Sequence, residues 1–192
     1  MGTAETAPTG SALRPAQDRI VAAAVDLFAE HGVAGTSLQM IADRLGVTKA
    51  AVYHQFRTKD EIVLAAAEQG MAPLAAAIAE AEAAPDRPGA ISTMLERLVD
   101  LAIDRRRMVA LMRNDPVMIR LVAEHPPFVD LMDRLHDVLA GDGPDRGSPV
   151  PVAMLQAAIA GAVTDPLVAG VDDDRLRADL RDLAARLLEP PA

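Results

Sequence analysis

The chain has 192 residues, and at 51% hydrophobic it has enough apolar material to bury a sizeable core. Aromatic residues make up only 2%, with no Trp, so the core must be built from Ala, Leu, Val, Ile and Met, which favours helices over a sheet. The absence of Cys excludes disulfides, a thiol nucleophile and every cysteine-based metal site, and the formal net charge of -9 discourages indiscriminate nucleic-acid binding.

Residues 1–14 are rich in Ala, Thr, Gly and Pro and contain no apolar stretch long enough for a signal peptide, which predicts a disordered arm on a cytoplasmic protein. From Pro15 a helix is expected, with Ile20, Ala24, Leu27 and Phe28 at helical spacing and Gly32 as its stop. Thr36 followed by Gln39 reads as a capping box, and Leu38, Ile41, Ala42 and Leu45 form the apolar face of a short helix that Gly46 ends. Thr48 is an N-cap for a third short helix, Lys49 to Phe56, and Thr58 with Glu61 forms a second capping box. Such closely spaced helix starts match a helix, a tight glycine turn and a second helix.

The charge is unevenly spread. Residues 1–61 hold 6 Lys+Arg and 7 Asp+Glu, leaving 13 and 21 for residues 62–192. Between Arg44 and Lys59 stand Arg44, Lys49, Arg57 and Lys59 and no acid, so the basic patch is local. In this patch Thr48, Lys49, Ala50, Ala51, Tyr53 and His54 suit the outer face of a helix entering the major groove. Val47, Val52 and Phe56 are left to face inward.

The stretch Ile20 to Leu64 resembles the DNA-binding domain of the TetR family of regulators. The likeness rests on Ala23, Leu27, Phe28, Gly32, Thr36-Ser37, Ile41-Ala42, Gly46-Val47, Tyr53, Phe56, Lys59 and Glu61. It covers about a quarter of the chain, and the rest agrees in length, helix count and helix order. The resemblance implies that Thr36 and Ser37 donate to a phosphate and that Tyr53, His54 and Lys59 also hold the backbone. Thr48, Lys49, Ala50 and Ala51 are left to reach base edges, Lys49 towards guanine and the alanine methyls towards thymine.

Beyond Thr58 a long helix is expected from Lys59 towards Ala84, kinked at Gly70 and Pro73 as a possible hinge. Another carries Ile91, Met94, Leu95, Leu98 and Ala102 on one face and reaches about Arg113; Pro116 and Pro126-Pro127 delimit two shorter ones, and residues 141–151 form a loop. Gly147 to Thr164 carries no charge, but Pro149, Pro151, Gln156 and its many alanines point to a buried helix rather than a membrane span. In the last helix Leu176, Leu180, Leu183 and Leu187 draw a seam. In the preceding one Ala153, Ala157 and Gly161 sit four apart, and the two faces either pack within one subunit or, as the resemblance implies, form a four-helix interface in a homodimer.

Met94, Met108, Met112, Met118, Phe128 and Met132 would suit a pocket for a hydrophobic small molecule, and equally an ordinary helical core. Gln156 either faces such a pocket or lies on the outer face, and Arg113, Asn114, His125 and His136 are further polar candidates. His125 and His136 form no recognisable metal pair, so no metal, cofactor or catalytic residue is expected; an α-helical enzyme or an interaction module without DNA binding is the alternative. The expectation is therefore an all-α protein with a helix-turn-helix DNA-binding domain at residues 15–58 and a ligand-binding and dimerisation domain at residues 59–192. Its partners would be double-stranded DNA with a palindromic operator, a second copy of the chain and an unidentified small-molecule effector, with no membrane. Ligand binding would lower DNA affinity, making the protein a repressor.

Overall fold

Apolar residues at helical spacing build every element of the computed structural model, which describes residues 15–140 and 149–188. The described residues hold no strand. The arm expected at 1–14 and most of the loop expected at 141–151 lie outside the described residues.

Helix α1 (Pro15–Gly35) buries Ile20, Ala24, Leu27 and Phe28 as its spacing predicts. Its regular path breaks at Gly32, which takes φ 72°, a left-handed conformation that suits glycine. The final turn is therefore redirected, and Val33 is fully buried. Helix α2 (Leu38–Leu45) starts one residue later than the capping-box reading implies. Ser37 is its N-cap and accepts the Met40 N–H at 3.2 Å, while Gln39 bonds to Asp43. Gly46, at φ 65°, closes the helix in the left-handed conformation, with the Val47 N–H donating to the Ala42 carbonyl.

Helix α3 (Lys49–Gln55) is capped by Thr48, and its inward residue Val52 and the adjacent Phe56 are buried. Val47 is 38% exposed instead of facing inward, because the left-handed turn at Gly46 swings it off the core side. Helix α4 (Lys59–Glu82) has the expected capping pair: Thr58 accepts from the Glu61 N–H, and the Glu61 carboxylate accepts from the Arg57 N–H.

Helix α4 runs unbroken through Gly70 and Pro73 and packs against α1, against α5 (Arg87–Asp104), and against α7 (Pro116–Ala123) and α8 (Pro126–Ala140). It is long and apolar enough to cross a membrane, but its Ile62, Val63, Met71 and Ile78 are buried in the core. The single helix expected from Ile91 to Arg113 is two, because the backbone leaves helical geometry at Arg105 (φ -116°, ψ 25°) and α6 (Arg106–Asn114) sets off in a new direction. The break lets α5 pack on α10 (Asp173–Leu188) while α6 packs on α9 (Val150–Thr164). Asp100 and Asp104 of α5 bind Arg177 and Arg181 of α10. A single 3-10 turn, Pro166–Val168, follows α9 where Pro166 predicts a break.

Candidate nucleic-acid interface and effector cavity

The first three helices place one set of small and polar side chains at the surface. Thr48, Lys49, Ala50 and Ala51 are all exposed on the first turn of α3, and Tyr53 and His54 are exposed on the next. Val52 and Phe56 anchor that helix from below. The Thr48 hydroxyl oxygen accepts the Ala51 N–H at 3.2 Å, which leaves its own hydrogen free to donate outward. Ser37, exposed at the start of α2, is arranged in the same way.

Two expected phosphate contacts are corrected. Thr36 is only 2% exposed, and its hydroxyl faces the carbonyls of Gly32 at 2.8 Å and Leu27 at 3.2 Å. A hydroxyl bonded inward has no donor left for DNA, so Thr36 locks the α1–α2 corner instead. Lys59 serves the same corner, donating to the carbonyls of Val33 at 2.6 Å and Thr36 at 2.9 Å. The left-handed φ at Gly32 takes its own carbonyl out of the α1 hydrogen-bond pattern, and the Thr36 hydroxyl fills that place, while Lys59 binds the Val33 and Thr36 carbonyls where the chain crosses from α1 to α2.

The basic patch shrinks accordingly. Arg44 is held by Glu30 in a two-pronged pair, with a closest contact of 2.8 Å. That hydrogen bond holds the Glu30 carboxyl below its ordinary range. Of the four basic residues, the side chains of Lys49 and Arg57 have no acid or carbonyl partner among the described residues. Arg57 lies 6.0 Å from the centre of the half-exposed Tyr53 ring. Sequence reasoning left Arg57 out of the interface; its position four residues after Tyr53 was the available signal.

A cavity of about 300 Å³ lies among α4, α5, α6, α8 and α9. Met108, Met112, Phe128, Met132 and Gln156 line it, as expected. Met94 and Met118 do not; both are fully buried core residues that pack away from it. Sequence reasoning missed Gly70, Leu74, Leu98 and Arg105 on its wall. Gly70, expected only as a kink, makes room for α6: a Cβ there would stand 2.8 Å from Met108 Cγ. Of the polar candidates, Arg113 joins Gln156 on the wall, whereas His125 pairs with Glu68 at 2.8 Å. Of the three consecutive arginines 105–107, Arg106 pairs with Asp173 and Arg107 with Asp26, while Arg105 lines the cavity.

The expected dimer residues divide into two groups. Leu176 and Leu180 are buried at 7% exposure within the protomer, packed with Ala184, and are corrected from seam to core. Leu183, Leu187, Ala153 and Ala157 remain exposed, and Gly161 is half-buried. Val150 and Met154 extend the same apolar face of α9 at 55% and 56% exposure.

Residues 20–66 match the family model described as bacterial regulatory proteins, tetR family. The HTH-type transcriptional repressor Rv3405c of Mycobacterium tuberculosis is 30% identical over 200 residues, covering 92% of this chain and 98% of its own length. The crystal structure of a tetR-family regulatory protein from Rhodococcus RHA1 superposes with a TM-score of 0.74 at 22% identity, over 94% of this chain and all of its own. AibR, whose structure was solved with isovaleryl coenzyme A and operator DNA, aligns at a TM-score of 0.65 and 16% identity, over 88% of this chain and 97% of its own. The relatives are transcriptional regulators rather than enzymes, and with an all-helical fold, a helix-turn-helix at residues 38–55 and a near full-length match, the chain belongs to the TetR family of transcriptional regulators.

Proposed function

We propose that the protein is a homodimeric repressor that binds a palindromic operator and is released by a small apolar effector. The observation that carries this reading is the course of α4. It begins at Lys59, next to α3, and its Gly70, Met71 and Leu74 form part of the cavity wall. A ligand that favours one position of α4 therefore also biases the position of the reading head. Gly70 and Pro73, expected as a hinge, lie within that stretch, where Pro73 lacks the N–H that would bond to the carbonyl one turn earlier.

On DNA, Lys49 and its small neighbours would read bases in the major groove, while Ser37, Tyr53, His54 and Arg57 would hold phosphates. The exposed face formed by Ala153, Met154, Ala157, Leu183 and Leu187 would meet its copy about a two-fold axis and set two heads on one side of the duplex. Residues 15–58 act as the head and residues 59–192 as the effector and dimer body, working in the cytoplasm. Supporting this reading, Rv3405c is a transcriptional repressor, and the AibR structure holds both isovaleryl coenzyme A and operator DNA.

The test is selection of a preferred site from a random duplex pool, followed by fluorescence anisotropy at about 50 and 200 mM salt. A palindromic site bound as a dimer, with affinity falling steeply as salt rises, is the expected result. Equal affinity for unselected DNA, or a salt-independent signal, would reject the reading.

A further inference from the structure

The wall of the cavity carries charge of one sign in a region dominated by the other. Residues 62–192 hold 13 basic and 21 acidic side chains, yet among the described residues no Asp or Glu lines the cavity, and its ionisable residues are Arg105 and Arg113. On the same helices Arg97 is matched to Glu80, Arg106 to Asp173 and Arg134 to Glu82, while Arg87 donates to the Leu139 carbonyl. Neither Arg105 nor Arg113 pairs with a carboxylate among the described residues.

Arg113 stands at the seam between α6 and α9. It donates to the Ala157 carbonyl at 3.4 Å, and its guanidinium is 3.5 Å from where a Cβ on Gly161 would lie. That bond is long, and Arg113 is exposed, so its guanidinium stands at the mouth of the cavity with its other donors turned to solvent. The half-buried Gln156, one residue before Ala157, makes no hydrogen bond among the described residues. An amide in that setting gains from a ligand acceptor. The remainder of the wall, including Met108, Met112, Phe128 and Met132, is apolar.

We propose that the cavity takes an amphipathic carboxylate. Its head is held by Arg113 and Gln156 at the α6–α9 seam, and its apolar body lies among the methionines and Phe128. The proposal rests on the reading of this cavity as the effector site. One guanidinium fork and one amide match the two oxygens of a carboxylate. Arg105 stands eight residues earlier on the path into α6, on the order of 12 Å along a helical rise, and adds positive field without closing on the same head. A phosphate dianion would call for a second cation at the seam. A neutral ligand would gain nothing from the guanidinium charge, and an amine would be repelled by both arginines.

The experiment titrates the full chain with decanoate, decanol, decylamine and decyl phosphate by isothermal calorimetry, with thermal melts alongside. Decanoate is expected to bind roughly tenfold or more tightly than the other three. Arg113→Met is expected to bring decanoate to parity with decanol, and Arg113→Lys to restore part of the preference. Should Arg113→Met fail to fold, Gln156→Leu is expected to reduce the preference in the same direction. Decanol or decylamine binding as well as decanoate would overturn the carboxylate head while leaving the effector cavity standing. Decyl phosphate binding more tightly than decanoate would overturn the choice of carboxylate. Binding of none of the four would overturn both the head and the effector role of the cavity, and operator binding by the same samples would then separate that failure from loss of the DNA-binding reading.

Discussion

Asp115 joins the reading head to the cavity, and its removal has a calculable consequence. One carboxylate oxygen accepts the Val33 N–H at 2.8 Å, just after the break at Gly32. The other caps α7 by accepting from Val117 and Met118 at 2.9 and 3.0 Å. Asp115 also directly follows α6, the helix that carries Met108 and Met112. Asp115→Ala would leave the buried Val33 N–H without a partner and α7 without its cap. A hydrogen bond to a charged group contributes about 1.5–3 kcal/mol, and loss of an aspartate cap costs about 1 kcal/mol. With Asp115 half-buried, the lower end applies to the first of these, for a total of about 2.5 kcal/mol. For a chain of this length that lowers Tm by about 5–10 °C. Asp115→Asn, which keeps a carbonyl oxygen for one of the two roles, should fall about midway. Thermal melts followed by circular dichroism read both shifts. A Tm for Asp115→Ala within about 2 °C of the parent would refute the assignment of this carboxylate as a joint between head and body.

Further outcomes test other parts of the molecule. Lys49→Ala should reduce discrimination at one base position of the selected operator by about 1–3 kcal/mol, measured by competition with single-base variants. Arg57→Ala should instead weaken all sites alike and flatten the salt dependence by about one phosphate contact. Leu183→Glu, on the exposed face of α10, should give a folded monomer in sedimentation velocity. Leu180→Glu should fail to fold, because Leu180 lies in the protomer core. Glu80 and Glu82 are held below the ordinary glutamate range by hydrogen bonds from Arg97 and Arg134. Their contribution is therefore complete above the unfolded glutamate pKa and is lost as pH falls through the depressed folded values. Tm should decline with acidification across that window, and Glu82→Gln should flatten the decline slightly, as expected of exposed pairs.

Much of this architecture could be read directly along the chain. Thr48, Thr58, Gly46 and the apolar spacing of α1 to α3 act within a turn or two of themselves, so local chemistry was enough to place the helix-turn-helix and expose Lys49 and its neighbours. Gly32 was legible as a stop for the same reason. Residue type alone did not reveal which partners a side chain would find from distant parts of the chain. Thr36 and Lys59 have the composition of phosphate contacts, but the backbone carbonyls of the α1–α2 corner claim both. Arg44 has the charge for DNA, but Glu30 on the neighbouring helix neutralises it.

The same limit governed the helices beyond α4. Met94 and Met108 have the same chemistry, and only the packing directions of α5 and α6 send one into the core and the other to the cavity. The leucine stripe on α10 was correctly periodic, yet α5 covers its Leu176 and Leu180 side and leaves Leu183 and Leu187 exposed. The break at Arg105 has no proline or glycine to announce it; it arises where α5 turns to α10 and α6 to α9. Sequence by itself determined the helices whose starts and stops are set by neighbours within a turn. Tertiary structure decided every role that depends on which of two available faces another helix covers, because burial is a property of the pair and neither sequence segment carries it alone.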